Sequence, residues 1–281
     1  MAIKLMYITN KPAVAKIAEQ AGVDWIFLDM EFIGKDARQG GMDTVQNHHT
    51  VKDVENIKRT INSAKVLVRV NPIHETLSDY PSSKDEIDMT IAAGADIVML
   101  PFFKTSEEVK KFIGFVNGRA KTLLLLETIE AAELIDEILE IPGIDMILLG
   151  LNDMHLEMGL KFMFELLANG IVEKLGKKIK AKGIPFGFGG IATLDGGELP
   201  GFMVLKEHVR LGSSMVIVSR SFCNTDILTD LNEVKRIFDK GIVGLRALET
   251  EASNADEFYF EENRKSVVAT VNKIAGTNYS V

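Results

Sequence analysis

Two carboxylates and an arginine stand where this sequence could do chemistry. Glu127 directly follows four consecutive leucines, Leu123 to Leu126. A carboxylate at the end of so apolar a run needs a partner, because burying a lone charge is costly. Asp153 follows the next apolar run in the segment Gly150-Leu151-Asn152-Asp153. Two hard oxygen donors from neighbouring strands, with positions left for water and substrate, suit Mg²⁺ or Mn²⁺. By position alone, pairing of both with Arg or Lys at a barrel rim is the competing reading. Arg69 ends Lys65-Val66-Leu67-Val68, and its planar guanidinium suits a carboxylate or an enolate oxygen. A rim salt bridge to Glu31 or Asp29 is its alternative role. The two are compatible, since Glu31 would then orient Arg69.

These residues need elements that bring them together. Eight apolar runs read as strands: Ile3–Ile8, Trp25–Met30, Val66–Val70, Ile97–Leu100, Thr122–Leu126, Asp145–Leu149, Ile184–Phe188 and Met215–Val218. Helical patterns alternate with them at Pro12–Ala21, Val51–Ile61, Lys84–Ala93, Ser106–Val116, Ile129–Leu139, Phe162–Lys182, Pro200–Leu211 and Asp230–Leu248. Strands separated by helices imply parallel pairing through crossovers. Gly-containing stops such as Ala93-Gly94-Ala95-Asp96 precede several strands and suit helix C-caps. Eight such units favour a closed (β/α)8 TIM barrel over an open doubly wound sheet. Residues 1–250 are expected to form the barrel, and 251–281 an extra C-terminal helical segment packing on it or on a neighbouring subunit.

Catalytic groups of such barrels lie at the C-terminal ends of the strands. Those positions are Asp29-Met30-Glu31, Arg69-Val70-Asn71, Pro101 with Lys104 beyond it, Glu127-Thr128, Gly150 to Asp153, Gly189-Gly190 and Ser219-Arg220.

The net charge of −8 disfavours nucleic acid and anionic membrane surfaces as partners. An anionic substrate must therefore meet a local positive feature or a bound cation. No apolar stretch approaches the roughly 18–20 residues of a membrane span, and the first residues lack the basic start and cleavage site of a signal peptide. The single cysteine, Cys223, excludes an intrachain disulfide framework, and a cytoplasmic protein is expected.

The segment Ala21-Gly22-Val23-Asp24-Trp25-Ile26-Phe27-Leu28-Asp29-Met30-Glu31 resembles the second-strand signature of the HpcH/HpaI aldolase and citrate lyase family. Val68-Arg69-Val70-Asn71 is similar to that family's arginine strand, closest to its citrate lyase β-subunit branch. Ala93-Gly94-Ala95-Asp96 through Leu100-Pro101, with Thr105-Ser106-Glu107-Glu108, resembles its fourth-strand segment. Leu126-Glu127-Thr128, with Gly143-Ile144-Asp145 and Gly150-Leu151-Asn152-Asp153, resembles its metal-binding pair. The likeness runs from about residue 3 to about residue 220, with its motifs in the family's order.

The resemblance implies a phosphoenolpyruvate/pyruvate-type barrel that makes or breaks carbon–carbon bonds beside a 2-oxo acid. Glu127 and Asp153 would bind Mg²⁺ or Mn²⁺, and Arg69 would stabilise an enolate oxygen. Glu31 and the backbone N–H groups around Gly150, Leu151 and Asn152 would serve the substrate. The resemblance also implies a homo-oligomer, trimeric or hexameric, exchanging a terminal helix. The expected activity is a metal-dependent carbon–carbon lyase of the aldolase type. A synthase or transferase, a CoA-ester lyase, and a weakened barrel kept as an assembly subunit are the alternatives. The lysines Lys174, Lys177, Lys178, Lys180 and Lys182 share one helix and read as a solvated face rather than a CoA site.

One departure matters for mechanism. Pyruvate aldolases of the family carry histidine directly after the glutamate matching Glu31, where this chain has Phe32. The loop beyond it is long, running from Gly34 to Thr50 through Gly40-Gly41 and ending in Asn47-His48-His49. His48 or His49 is expected to fold back over the mouth as the acid/base, since histidine titrates near neutrality. The competing reading makes both ordinary loop histidines. His74 and His155 are weaker candidates, and His208 reads as structural.

Overall fold

The computed structural model describes residues 2–34 and 47–281, so Gly40-Gly41 lies outside the described residues. Eight parallel strands close into a barrel in sequence order: β1 (Lys4–Ile8), β2 (Trp25–Asp29), β3 (Lys65–Arg69), β4 (Ile97–Leu100), β5 (Lys121–Leu126), β6 (Met146–Leu149), β7 (Phe186–Ile191) and β8 (Met215–Val218). Strand β8 pairs back onto β1 through Leu5 opposite Val216. The expected (β/α)8 TIM barrel is the fold.

Successive side chains on a strand point to opposite faces. One set fills the barrel interior, including Met6, Trp25, Phe27, Leu67, Met99, Leu123, Leu125, Leu148 and Met215. The other set packs outward against the helices, as Ile26, Leu28, Val66, Val68, Leu124 and Leu126 do. Each fully buried side chain of this kind contributes about 1.5–3 kcal/mol. The inward period runs on past the apolar layer. It carries Trp25 and Phe27 to Asp29, Leu67 to Arg69, and Leu123 and Leu125 to Glu127. The polar site is thus the next inward layer above an apolar floor.

The helices are α1 (Pro12–Ala21), α2 (Val51–Thr60), α3 (Ser83–Ala92), α4 (Ser106–Val116), α5 (Ile129–Glu133), α6 (Ile135–Ile138), α7 (Leu151–Glu157), α8 (Glu165–Ala168), α9 (Ile171–Ala181), α10 (Gly201–Leu211), α11 (Leu231–Ser253) and α12 (Glu257–Ala275). Capping boxes at Thr50/Asp53 and Thr105/Glu108 fix the starts of α2 and α4. The C-terminal helices lie on the chain's own barrel, α11 along α1 and α10, and α12 along α10 and α8. Arg246 of α11 bonds the Ile3 carbonyl at 2.7 Å and Asp24 at 2.8 Å, which ties that helix to the start of β1. Among the described residues no helix is long and apolar enough to cross a membrane.

Three sequence expectations are corrected. The single helix expected over Phe162–Lys182 is preceded by α7 and divided into α8 and α9, with Gly170 in left-handed backbone between them. Helix α7 gives no sequence signal because its N-cap is Gly150, with no Ser, Thr, Asp or Asn side chain to announce it. The helix expected over Ile129–Leu139 is interrupted at Leu134 (φ −86°, ψ 9°), although i to i+4 hydrogen bonds continue on both sides of it. Strand β7 runs to Ile191 rather than stopping before Gly189-Gly190. Glycines there signal a turn in sequence, but the strand runs through them, with Gly189 in left-handed backbone (φ 52°). A Cβ on Gly187 would overlap the Met215 carbonyl oxygen.

Candidate active site

A cavity of about 410 Å³ opens at the C-terminal ends of the strands. Its wall includes Asp29, His49, Arg69, Glu127, Gly150, Leu151, Asn152 and Asp153. Most of the residues expected from sequence therefore meet in one place.

Arg69 is fixed by two carboxylates. Its Nε and Nη2 each donate to Asp29 at 2.8 Å, and Nη1 lies 3.3 Å from Glu31 Oε2. Burial works against its charge, but Asp29 and Glu31, with Glu127 beyond them, outweigh burial and hold the guanidinium well above its ordinary pKa. Such a bidentate pair sets the plane of the fork as well as its charge. Glu31 is fully buried and is not part of the cavity wall. Its place is behind Arg69, orienting it, rather than against the cavity.

Glu127 sits just past β5, where β5 pairs with β6 through Leu126 opposite Leu149. Its Oε1 accepts the Phe102 N–H at 3.0 Å. Phe102 reaches it from left-handed backbone (φ 47°), a strained conformation for a bulky side chain. Burial first, then the charges of Asp153 and Glu31, push the Glu127 carboxyl well above its ordinary pKa, against Arg69 and the Phe102 N–H. Facing Glu127 is Gly150, whose φ of −83° does not itself require glycine. Space does: a Cβ there would lie 2.7 Å from Glu127 Oε2. Asp153 stands in the first turn of α7, where the helix dipole favours an anion.

Among the described residues no group of three or more His, Cys, Asp and Glu side chains forms a metal cage. A carboxylate pair is nonetheless a sufficient protein donor set for Mg²⁺, which keeps several waters and binds substrate oxygens. The charge of Asp153 acting on Glu127 points the same way, because a cation held here would favour the charged form of Glu127. The residues present fit a hard divalent cation.

The two loop histidines part company. His49 lines the cavity, its Nδ1 accepting the Asp29 N–H at 2.9 Å. A neutral His49 therefore carries its proton on Nε2. His48 is exposed and absent from that wall; it lines a neighbouring hollow beside Phe32 and Tyr80, which His49 also borders. The other histidines are engaged elsewhere: His74 between the Pro72 and Pro81 carbonyls, His155 at the Leu151 carbonyl, and His208 in the core against Phe188 and Ser213. Cys223 is buried.

Sequence reasoning missed Phe102, the spacing role of Gly150, and the anchoring role of Asn71, which it named only as a strand-end position. The Asn71 Oδ1 accepts the N–H groups of Phe32 and Ile33, both at 2.9 Å, while its Nδ2 donates to buried Glu86 at 2.9 Å. Asn71 follows Arg69-Val70 directly, and an amide at the end of an apolar strand was the available signal.

The profile of the HpcH/HpaI aldolase/citrate lyase family matches residues 4–164, more than half of the chain and the part that carries Arg69, Glu127 and Asp153. The chain belongs to the HpcH/HpaI aldolase/citrate lyase family. Membership makes it a relative of aldolases and lyases. Solved structures agree on the fold. An HpcH/HpaI aldolase from Desulfitobacterium hafniense DCB-2 superposes with a TM-score of 0.60 at 15% identity, over 83% of this chain and 93% of the other. An HpcH/HpaI aldolase/citrate lyase family protein from Burkholderia cenocepacia J2315 gives 0.62 at 15% identity, over 83% and 95%. None of the curated proteins matches this chain.

Proposed function

We propose that this family member is a divalent-metal-dependent carbon–carbon lyase of the aldolase type, acting through the enolate of pyruvate or a related 2-oxo acid. The observation that carries the reading is the meeting of Glu127, Asp153 and Arg69 on one cavity above the apolar barrel floor. Glu127 and Asp153 would hold the cation. When bound, Mg²⁺ or Mn²⁺ supplies Lewis-acid polarisation of the oxo-acid oxygens.

The chain's own groups do the rest. With Nε and Nη2 turned to Asp29 and Nη1 to Glu31, the remaining N–H groups of Arg69 are held in a fixed direction. They would stabilise the oxygen on which negative charge grows as the enolate forms, and preorganised donors of this kind are worth most where water is excluded. The first turn of α7 leaves backbone N–H groups at Leu151 and Asn152 without helical partners, suited to the substrate carboxylate. His49 would donate a hydrogen bond from Nε2 to the alkoxide oxygen formed in the condensation direction, and that oxygen would take its proton from solvent.

The test uses the full-length protein with Mn²⁺, measuring oxaloacetate decarboxylation and the exchange of pyruvate methyl protons with D₂O by NMR. Both should depend on the ion and fall in Arg69→Lys, which keeps the charge but loses the fork. A protein that binds no Mn²⁺ and exchanges no pyruvate protons would overturn the reading.

A further inference from the structure

Among the described residues three cations line the mouth: Lys11, Arg69 and Arg220. Two already have partners within the chain. Lys11 Nζ donates to the Thr225 carbonyl at 2.7 Å and to Asp226 at 3.0 Å, and Arg69 is held by Asp29 and Glu31. Arg220 is exposed and makes no ion pair or hydrogen bond with the described residues. It is alone in this among the described arginines. Arg59, Arg119, Arg210, Arg236 and Arg246 pair with carboxylates, and Arg264 bonds the Leu167 and Ala168 carbonyls.

The barrel places that charge at the rim. Between Gly187 and Gly190, β7 uses one residue more than β8 uses between Met215 and Ile217. A bulge of this kind bends its strand and re-aims the side chains near it. Pairing then continues one step past β8, with the Ser219 N–H donating to the Ile191 carbonyl at 2.8 Å. Arg220 is the first residue released from the barrel. The same wall carries Asn224, Thr225 and Asp226, and the Asp226 carboxylate is already taken by Lys11 at 3.0 Å. In a chain of net charge −8, an unmatched guanidinium in a substrate cavity is a local attractor for anions.

We propose that Arg220 is a specificity-determining residue: it receives the anionic end, carboxylate or phosphate, of the acceptor that meets the enolate held at Glu127, Asp153 and Arg69. This rests on the lyase reading of that site. Guanidinium pairs with either anion through two parallel hydrogen bonds. The preferred substrates are thus anionic at both ends, one end at Arg69 and the cation that Glu127 and Asp153 would hold, the other at Arg220.

The experiment compares three acceptor aldehydes with full-length Mn²⁺-loaded protein: succinic semialdehyde (carboxylate), glyceraldehyde phosphate (phosphate) and butanal (uncharged). Binding is read by calorimetry and condensation with pyruvate by kcat/KM, for wild type, Arg220→Met and Arg220→Lys. Wild type should prefer a charged acceptor. In Arg220→Met the charged-over-uncharged ratio should fall on the order of ten- to a hundredfold, mostly through KM, as expected for losing a charged hydrogen-bonding partner. Arg220→Lys should recover part of it. The anion whose ratio falls further is the one the site takes. The proposal is overturned if wild type shows no preference, or if the ratio is the same in Arg220→Met. A loss spread equally over all three acceptors also overturns it, since that marks a merely structural residue. Pyruvate proton exchange in wild type decides the lyase reading separately, and the calorimetric ratios decide Arg220 even in a protein without turnover.

Discussion

Replacing Gly150 by alanine tests whether the space beside Glu127 is what the site depends on. The backbone at this residue has φ −83° and ψ 86°, so a side chain there meets no left-handed strain. The added methyl would stand 2.6 Å from Glu127 Cβ, 2.7 Å from its Oε2 and 3.2 Å from Leu125 Cδ1. Relaxed carbon contacts lie at about 3.5–4.0 Å, so the Glu127 side chain must retreat by about 1 Å. Overpacking of this kind costs about 1–3 kcal/mol, which a domain with about 5–15 kcal/mol of stability survives. The site is less forgiving: misplacing a reacting group by about 1 Å costs on the order of a hundredfold in rate. Gly150→Ala should therefore fold, with a melting temperature lower by a few degrees as followed by circular dichroism. Its Mn²⁺ affinity should weaken on the order of tenfold, and its Mn²⁺-dependent oxaloacetate decarboxylation should fall on the order of a hundredfold. A variant that melts lower yet keeps wild-type metal affinity and turnover would refute the argument, because the carboxylate would then have moved without consequence.

The carboxylates themselves give the simplest comparison. Glu127→Gln and Asp153→Asn should each weaken Mn²⁺ binding at least about tenfold, measured by titration of the ion's EPR signal, and equal binding in both variants and wild type would sink the metal assignment. His49→Ala should lower condensation turnover by about a hundredfold or more while His48→Ala leaves it near wild type; steady-state rates showing the reverse order would move the acid/base role away from the cavity wall. His208 is buried, with its pKa pushed down to about 3 by desolvation. Its folded pKa lies below the unfolded value of about 6.5, so the unfolded chain binds the proton first and stability is lost as pH falls below that value. Between about pH 7 and about pH 5 this costs about 2 kcal/mol, and urea unfolding of His208→Gln should lack that part of the acid sensitivity; identical pH dependence in the two proteins would count against it. Arg246→Ala removes bonds to the Ile3 carbonyl, Asp24 and Glu249, and should destabilise the fold by about 2 kcal/mol, seen as a lower urea midpoint with little change in slope.

The barrel was legible because its signals are periodic and repeated. Every strand core was found in the apolar runs, and the strand ends led to Arg69, Glu127 and Asp153. What sequence could not supply were features defined by a neighbour in space. Gly150 reads as a loop glycine until Glu127 stands beside it. Gly187 reads as an ordinary residue of the strand over Ile184–Phe188 until the Met215 carbonyl of β8 is known to press against it. Phe102 comes directly after a proline and carries no polar atom in its side chain. Its part in the site is a backbone N–H aimed by a strained φ, which residue type does not encode. Glu31 reads as a substrate contact because its position in the chain matches the motif. In space it is buried against Arg69, 3.3 Å from its Nη1, and off the cavity wall.

The departure at Phe32 shows why position in space outranks position in the chain. Asn71 takes the N–H groups of Phe32 and Ile33, and the Phe32 ring packs edge-on against Tyr80, in the hollow that His48 also lines. A histidine at that point of this backbone would start from a strand exit pinned by Asn71. At the far end of the same loop, His49 returns beside Asp29 and pairs with it twice, its N–H to the Asp29 carbonyl at 3.3 Å and its ring to the Asp29 N–H at 2.9 Å. The Asp29 carboxylate meanwhile grips Arg69 and accepts from Asn47 at 3.2 Å. One residue at the end of β2 thus sets both the guanidinium and the imidazole, through its side chain and backbone respectively. A relative distance fixed through Asp29 needs no particular spacing along the loop. A long loop costs little in closure entropy per added residue, so a histidine can reach the same mouth from a different point in the chain.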